Sequence, residues 1–278
     1  MRIIAAQTVI DEVAALCIDA NRILPPDIRR AFLHRRSQET PMGRESLRQL
    51  SDNAELSATL GLPLCQDCGV AVFHVEKGQD VRVADMPLRQ AINEGMVRGY
   101  REGYLRKSTC DPFSRVNRGD NSPAVIHFDV VPGDCLRIVM TPEGASADNA
   151  SKVAMLRPSL GFEGVRDFVV GCVSEAAHGV CAPVLVGVGA GGSFELAALN
   201  AKKALLRPLD DVHPDPALAL LEDMLLESVN KLGTGPLGLG GRTTCLGVKV
   251  LSAPCHPDAM PLAVYIQCHC ARKREVLL

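Results

Sequence analysis

The chain contains no tryptophan, and only three tyrosines and seven phenylalanines in 278 residues. Its core must therefore come from Ala, Val, Leu and Ile, and an apolar share of 47% is enough to build one. Long apolar runs are also missing. The most apolar stretch, residues 179–192, is short and rich in glycine, below the ~18 residues expected of a membrane span. Neither charge dominates: the net charge is −2 with both signs interspersed, which points away from nucleic-acid and membrane-surface partners. The N-terminus meets Asp11 and Glu12 before any signal-like run develops, so a cytoplasmic protein is expected. There is no sequence repeat, low-complexity segment or clear linker.

Cysteine, by contrast, is abundant. Eleven occur, at 17, 65, 68, 110, 135, 172, 181, 245, 255, 268 and 270. The odd number and the lack of an export signal disfavour a disulfide framework. Cys17, Cys135 and Cys172 lie among aliphatics and read as small core residues. Those beside Gly, Pro, Gln, Asp and His invite a chemical role.

Apolar positions Ile10, Val13, Ala14 and Cys17 predict a helix over residues 7–20. Further helices are expected from Pro25 to about 38 and over 43–59, making residues 1–60 a helical layer. Beyond it, strands are expected over 70–75, 124–131, 135–141, 184–188, 244–250 and 262–268. Helices are expected over 87–106, 161–177, 193–205 and 215–231. The mixture defines an α/β (mixed α+β) fold in one domain, 1–278.

Gly187, Gly189 and Gly192 fit G-x-G-x-x-G after an apolar strand, with Asp210 and Asp211 about 20 residues on, as a dinucleotide site would need. The alternative is a tight strand-to-helix turn, which its late position in the chain favours. The glycine-rich segment 233–244 fails as a P-loop because Arg242 stands where lysine is needed; it reads as a structural loop or one approaching an anion. Cys65-x-x-Cys68 and Cys268-x-Cys270 could together hold a structural zinc, although some 200 residues separate them. A nucleotide-binding or zinc-stabilised module without catalysis is thus the reading from another class.

Six segments together resemble the class I (iron–sulfur) fumarases and the related L-tartrate dehydratases. They are PLCQDCG (63–69), RGDNSPA (118–124), PEGASADN (142–149), CAPVLVGVGAGG (181–192), LGTGPLGLGGRTT (232–244) and the CH…QCHCAR string (255–272). Order and length match the larger, α subunit of the two-subunit form. The resemblance implies a [4Fe-4S] cluster on Cys65, Cys181 and Cys268, one iron being left open to act as a Lewis acid. It also implies substrate contacts from Gln66, Asp67, Arg106, Gly144 and His256. The implied reaction is reversible dehydration of (S)-malate to fumarate, or of L-tartrate. The implied partner is a β-type subunit that supplies the catalytic base, in a heterodimer or doubled heterotetramer. Cys68 replaces the family's usual threonine, and ASADN and CHPDAM also depart from its pattern. These changes touch the substrate shell rather than the three ligands.

Overall fold

The computed structural model describes residues 1–177 and 179–278. In chain order its elements are β1 (Arg2–Ala5), α1 (Ala6–Arg22), α2 (Pro26–Gln38), α3 (Pro41–Leu60), β2 (Val70–Gly78), β3 (Val81–Ala84), α4 (Leu88–Glu102), β4 (Val125–Val131), β5 (Leu136–Glu143), α5 (Ala145–Ala150), β6 (Lys152–Leu156), α6 (Gly161–Ala176), β7 (Val184–Gly191), α7 (Phe194–Ala204), α8 (Pro216–Asn230), β8 (Cys245–Ala253), β9 (Met260–Gln267) and β10 (Arg274–Leu277). The mixed α/β class holds. The α1 stripe Ile10, Val13, Ala14 and Cys17 is buried, as its spacing predicts. Pro26 opens α2 at a position where its missing N–H costs nothing. Helix α4 ends at Gly103, so Arg106 lies in the loop beyond it. Short β1, β3, β6, β10 and α5 carry too little periodicity to be expected from sequence.

The expected single domain comes out as two compact units, one of Met1–Leu24, Asn53–Ala145 and Arg272–Leu278, the other of Pro25–Asp52 and Ser146–Ala271. Residues 1–60 are accordingly not one layer: α1 belongs to the first unit, α2 to the second, and the chain changes unit within α3. In the first unit the sheet order is β10-β5-β2-β4, with β2 parallel to β4 and antiparallel to β5. Its core joins α1 and α4 to this sheet through Val13, Cys17, Phe73, Ile92, Met96, Tyr100 and Ile138.

In the second unit the order is β6-β9-β7-β8, with β7 parallel to β8 and antiparallel to β9. Strand alternation explains how β7 serves two faces. Val184, Val186 and Val188 join α6 and α8 in one core. On the other face Gly187 and Gly189 receive α7. A Cβ on Gly187 would lie 2.0 Å from the Ala201 carbonyl oxygen, and one on Gly189 2.0 Å from that of Ala197. Both glycines are inside the strand rather than in the turn after it, so they admit a helix backbone, not a pyrophosphate. The acids the dinucleotide reading requires are also committed: Asp210 pairs with Arg30, and Asp211 with Arg207 and Lys249.

The two units repeat one topology without repeating sequence. In each, a central strand leads through helix to a parallel neighbour, from which a loop crosses the end of the central strand into an antiparallel strand on its other side. The start of the central strand therefore lies beside the end of that antiparallel strand: Val70 pairs with Glu143, and Leu185 with Gln267. We expect Gly189→Ala to destabilise the chain by about 3 kcal/mol or more, since the added methyl meets backbone rather than a movable side chain. Urea denaturation should show this as a lowered midpoint with an unchanged slope.

Candidate metal centre and substrate shell

The first unit places Cys65, Gln66 and Asp67 in the turn before β2, and Gly144 just after β5, at the same sheet end. The Asp67 N–H donates to Cys65 Sγ at 3.4 Å, and the same sulfur lies 3.6 Å from Gln66 Oε1. Asp67 itself is a knot of the loop. Its Oδ1 accepts from the Gly69 N–H (3.0 Å) and the Ser108 hydroxyl (3.2 Å), and its Oδ2 from the Ala145 N–H (2.8 Å). Its main-chain oxygen accepts from buried Arg272 at 2.7 Å. Gly69 is left-handed (φ 71°), and a Cβ there would stand 2.6 Å from the Glu143 carbonyl; only glycine lets the turn lie on the end of β5.

Asn121, fully buried, joins this turn to its neighbours. Its Oδ1 accepts from the Ser108 N–H (2.5 Å) and the Thr109 N–H (3.2 Å), while its Nδ2 donates to the Gly69 carbonyl at 3.2 Å. The Tyr100 hydroxyl adds a bond to the Cys68 carbonyl at 2.8 Å. Gln66 and Arg106 are exposed, so the amide and the guanidinium are open to a ligand. Cys68 turns inward. It is buried, its Sγ accepts the Arg106 N–H at 3.2 Å, and burial pushes its thiol up. That burial suits an acceptor in place of the threonine hydroxyl better than half of a zinc site.

In the second unit Cys181 precedes β7 and Cys268 follows β9, again at one sheet end. The His269 N–H donates to the Cys181 carbonyl at 3.2 Å, tying the two cysteine segments together. The glycine loop 233–244 lies against the residues that follow Cys181: the Leu237 N–H donates to the Ala182 carbonyl (2.9 Å), and the Val184 N–H to the Thr244 carbonyl (2.8 Å). Its anion-approaching reading is superseded. The N–H groups of Gly235, Leu237, Gly238, Leu239, Gly240 and Gly241 all have partners within the protein. Those of Arg242 and Thr243 are taken by the buried Glu39 carboxylate, at 2.9 and 2.5 Å.

His256 stands elsewhere. It lies in the loop before Met260, whereas Cys268 follows Gln267. All eight residues of β9 separate them, roughly 26 Å of extended chain. The strand thus does not bring His256 to the Cys268 of its own chain. The His256 ring is exposed, and its Nδ1 accepts the Asp258 N–H at 3.1 Å.

Burial sorts the cysteines. Cys17, Cys172 and Cys245 are inside the cores, and burial pushes their thiols up, Cys172 to about 11 and Cys245 to about 12. Such groups resist the thiolate form that iron requires. Cys65, Cys181 and Cys268 reach solvent and flank the same ends of the two like sheets. Cys135, expected in the core, is exposed: like Cys255 it occupies a crossing loop at the opposite sheet end, where aliphatic neighbours in the chain do not imply burial. No three His, Cys, Asp or Glu side chains among the described residues surround a single-ion position. A cubane asks instead for thiolates on separate irons, and thiolate is the donor type that each of these solvent-reaching cysteines carries.

The fumarate hydratase (Fumerase) family pattern matches residues 10–277. The chain belongs to this family. It is 35% identical over 270 residues, 95% of each chain, to a Methanocaldococcus jannaschii protein provisionally named L(+)-tartrate dehydratase subunit alpha. It is 34% identical to the L(+)-tartrate dehydratase subunit alpha of Escherichia coli K12, over 92% of this chain and 86% of that one. The Shigella boydii protein of the same name is equally similar. Hydratase and dehydratase both name the movement of water at a carbon–carbon double bond, so the family is one of hydro-lyases. The relatives are named as α subunits, that is, as parts of larger enzymes. No helix among the described residues is long and apolar enough to cross a membrane.

Reading the sequence missed Asn121, Arg272, Ser108 and Glu39 as organisers of these loops. Asn121 lies in a segment that carries the resemblance; Glu39, in a polar helix end, gives no signal. Two outcomes follow from the bonding. Asn121→Ala leaves a buried site without its side chain and strands the half-buried Ser108 and Thr109 N–H donors, and should cost about 2 kcal/mol, measurable by urea denaturation. For Glu39, burial pushes the carboxyl up, but hydrogen bonds from Arg242, Thr243 and Thr40 outweigh it and hold it below its ordinary value of 4.5. Its stabilisation is therefore complete above pH 4.5 and is lost as pH falls through the lower folded value. Hydrogen exchange between pH 6 and 3 should show loop 233–244 opening in that acidic window.

Proposed function

We propose that this chain is the cluster-bearing α subunit of a hydro-lyase that removes water from a 2-hydroxydicarboxylate. The observation carrying this reading is family membership across residues 10–277 together with solvent-reaching thiols at Cys65, Cys181 and Cys268. These three would hold a [4Fe-4S] cluster, whose open iron supplies a Lewis acid for a departing hydroxyl.

The chain's own residues do the rest of its share. Arg106 offers an exposed cation for a substrate carboxylate, its backbone anchored by the N–H bond to Cys68 Sγ. Gln66 offers an amide beside the first ligand, and the small Gly144 leaves room for substrate against Asp67. Asp67 acts first as a frame, since its two carboxylate oxygens already accept from three donors. His256 is left out of the shell of its own chain because β9 lies between it and Cys268. Dehydration also needs a base to take the proton from the carbon next to the one that loses hydroxide; we assign that base to a β-type partner. (S)-Malate is one candidate substrate, matching the family's name. The tartrate names of the relatives favour L-tartrate as the other.

Anaerobic reconstitution with iron and sulfide tests the ligands. Cys65→Ser, Cys181→Ser and Cys268→Ser should each lower bound iron and the broad visible absorption of the cluster, and Cys17→Ala should leave both intact. Bound iron unchanged in all three serine variants would refute the ligand set. The reconstituted chain alone should not turn over malate, fumarate or tartrate, whereas the chain purified with a co-produced partner should process one of them at roughly 1–1000 per second. Turnover at that rate by the isolated chain would overturn the half-site reading.

A further inference from the structure

Glu39 is a buried carboxylate that the proposed chemistry does not use. Its two oxygens accept from the backbone N–H groups of Thr40, Arg242 and Thr243. Two glycines make room for it: a Cβ on Gly43 would lie 2.5 Å from Glu39 Oε2, and one on Gly241 2.8 Å from the same atom. The Arg242 side chain folds back onto the Gln38 carbonyl at 3.1 Å, which closes the contact from the other side. The loop so held is the one that grips Ala182 through Leu237 and Val184 through Thr244. Those bonds fall on either side of Pro183, directly after Cys181.

We propose that Glu39 is a positioning residue for Cys181: through the 233–244 loop its carboxylate fixes the backbone on both sides of Pro183, and with it the direction of the Cys181 thiol. The inference rests on the proposed role of Cys181 as a cluster ligand and adds the device that aims it. A carboxylate is required because every backbone group facing it is a donor. A glutamine amide would turn one acceptor into a donor pointed at N–H groups, without changing the side chain's shape.

The test reads the thiol directly. The full-length chain, freed of metal by a chelator under anaerobic conditions, is alkylated with iodoacetamide in native buffer, and the rate at each cysteine is followed by peptide mass spectrometry. Glu39→Gln should raise the Cys181 rate by about five-fold or more, the shift expected from losing one hydrogen bond. Cys172 and Cys245, buried in the same unit, and Cys255, exposed in the loop at the far sheet end, should keep their rates. Gly43→Ala places a methyl against the carboxylate while keeping its charge, and should give the same selective rise if Glu39→Gln fails to fold. An unchanged or lower Cys181 rate would overturn the proposal, as would a rise shared by Cys172 and Cys245, which would mark general loosening. Iron uptake is measured separately on the same proteins. If the unaltered chain takes up no iron, the cluster reading fails while the alkylation result still decides the role of Glu39.

Discussion

Loops that carry thiols at the end of a sheet must satisfy their own backbone polar groups once they are packed, and in this chain buried and half-buried side-chain oxygens do that work. Asn121 takes the N–H groups of Ser108 and Thr109. Glu39 takes those of Arg242 and Thr243. Asn230 takes those of Thr244 and Cys245, and Asp67 those of Gly69 and Ala145. In each case one acceptor bridges adjacent or converging segments. The loops can therefore be irregular and glycine-rich and still hold their shape, which is what a rigid set of ligands demands.

The repeated topology supplies the scaffold for these loops. Each unit has a central strand with a parallel neighbour on one side and an antiparallel one on the other. The turn entering the central strand and the turn leaving the antiparallel strand then meet by geometry alone. Cys65 and Gly144 occupy those places in the first unit, Cys181 and Cys268 in the second. The far ends of the same sheets carry the crossing loops with Cys135 and Cys255. Cysteines that look alike in composition thus divide by which end of a strand they follow.

Much of this was legible in the linear chain, and for definite reasons. Helices such as α1 and α8 announce themselves because burial on one face imposes a period that local sequence must show. The motif segments were legible because chemistry restricts residue types at fixed spacing. Short β3, β6 and β10 were not legible, since four or five residues paired at a sheet edge need no distinctive pattern. The glycines of β7 were misleading on their face: the same G-x-G that would cradle a phosphate is satisfied here by the approach of α7, and only the position of the helix separates the two.

The sequence by itself determined the fold class, the membership implied by its ordered motifs and the candidate ligands, because these depend on residue type and spacing. Tertiary structure alone decided that Cys68 is a buried acceptor rather than half of a zinc pair, that Cys135 is exposed, that β9 parts His256 from Cys268, and that Glu39 holds a loop about 200 residues away. Burial, sheet register and long-range hydrogen bonding arise between segments distant in the chain, and no local pattern encodes which distant acceptor a given N–H will find.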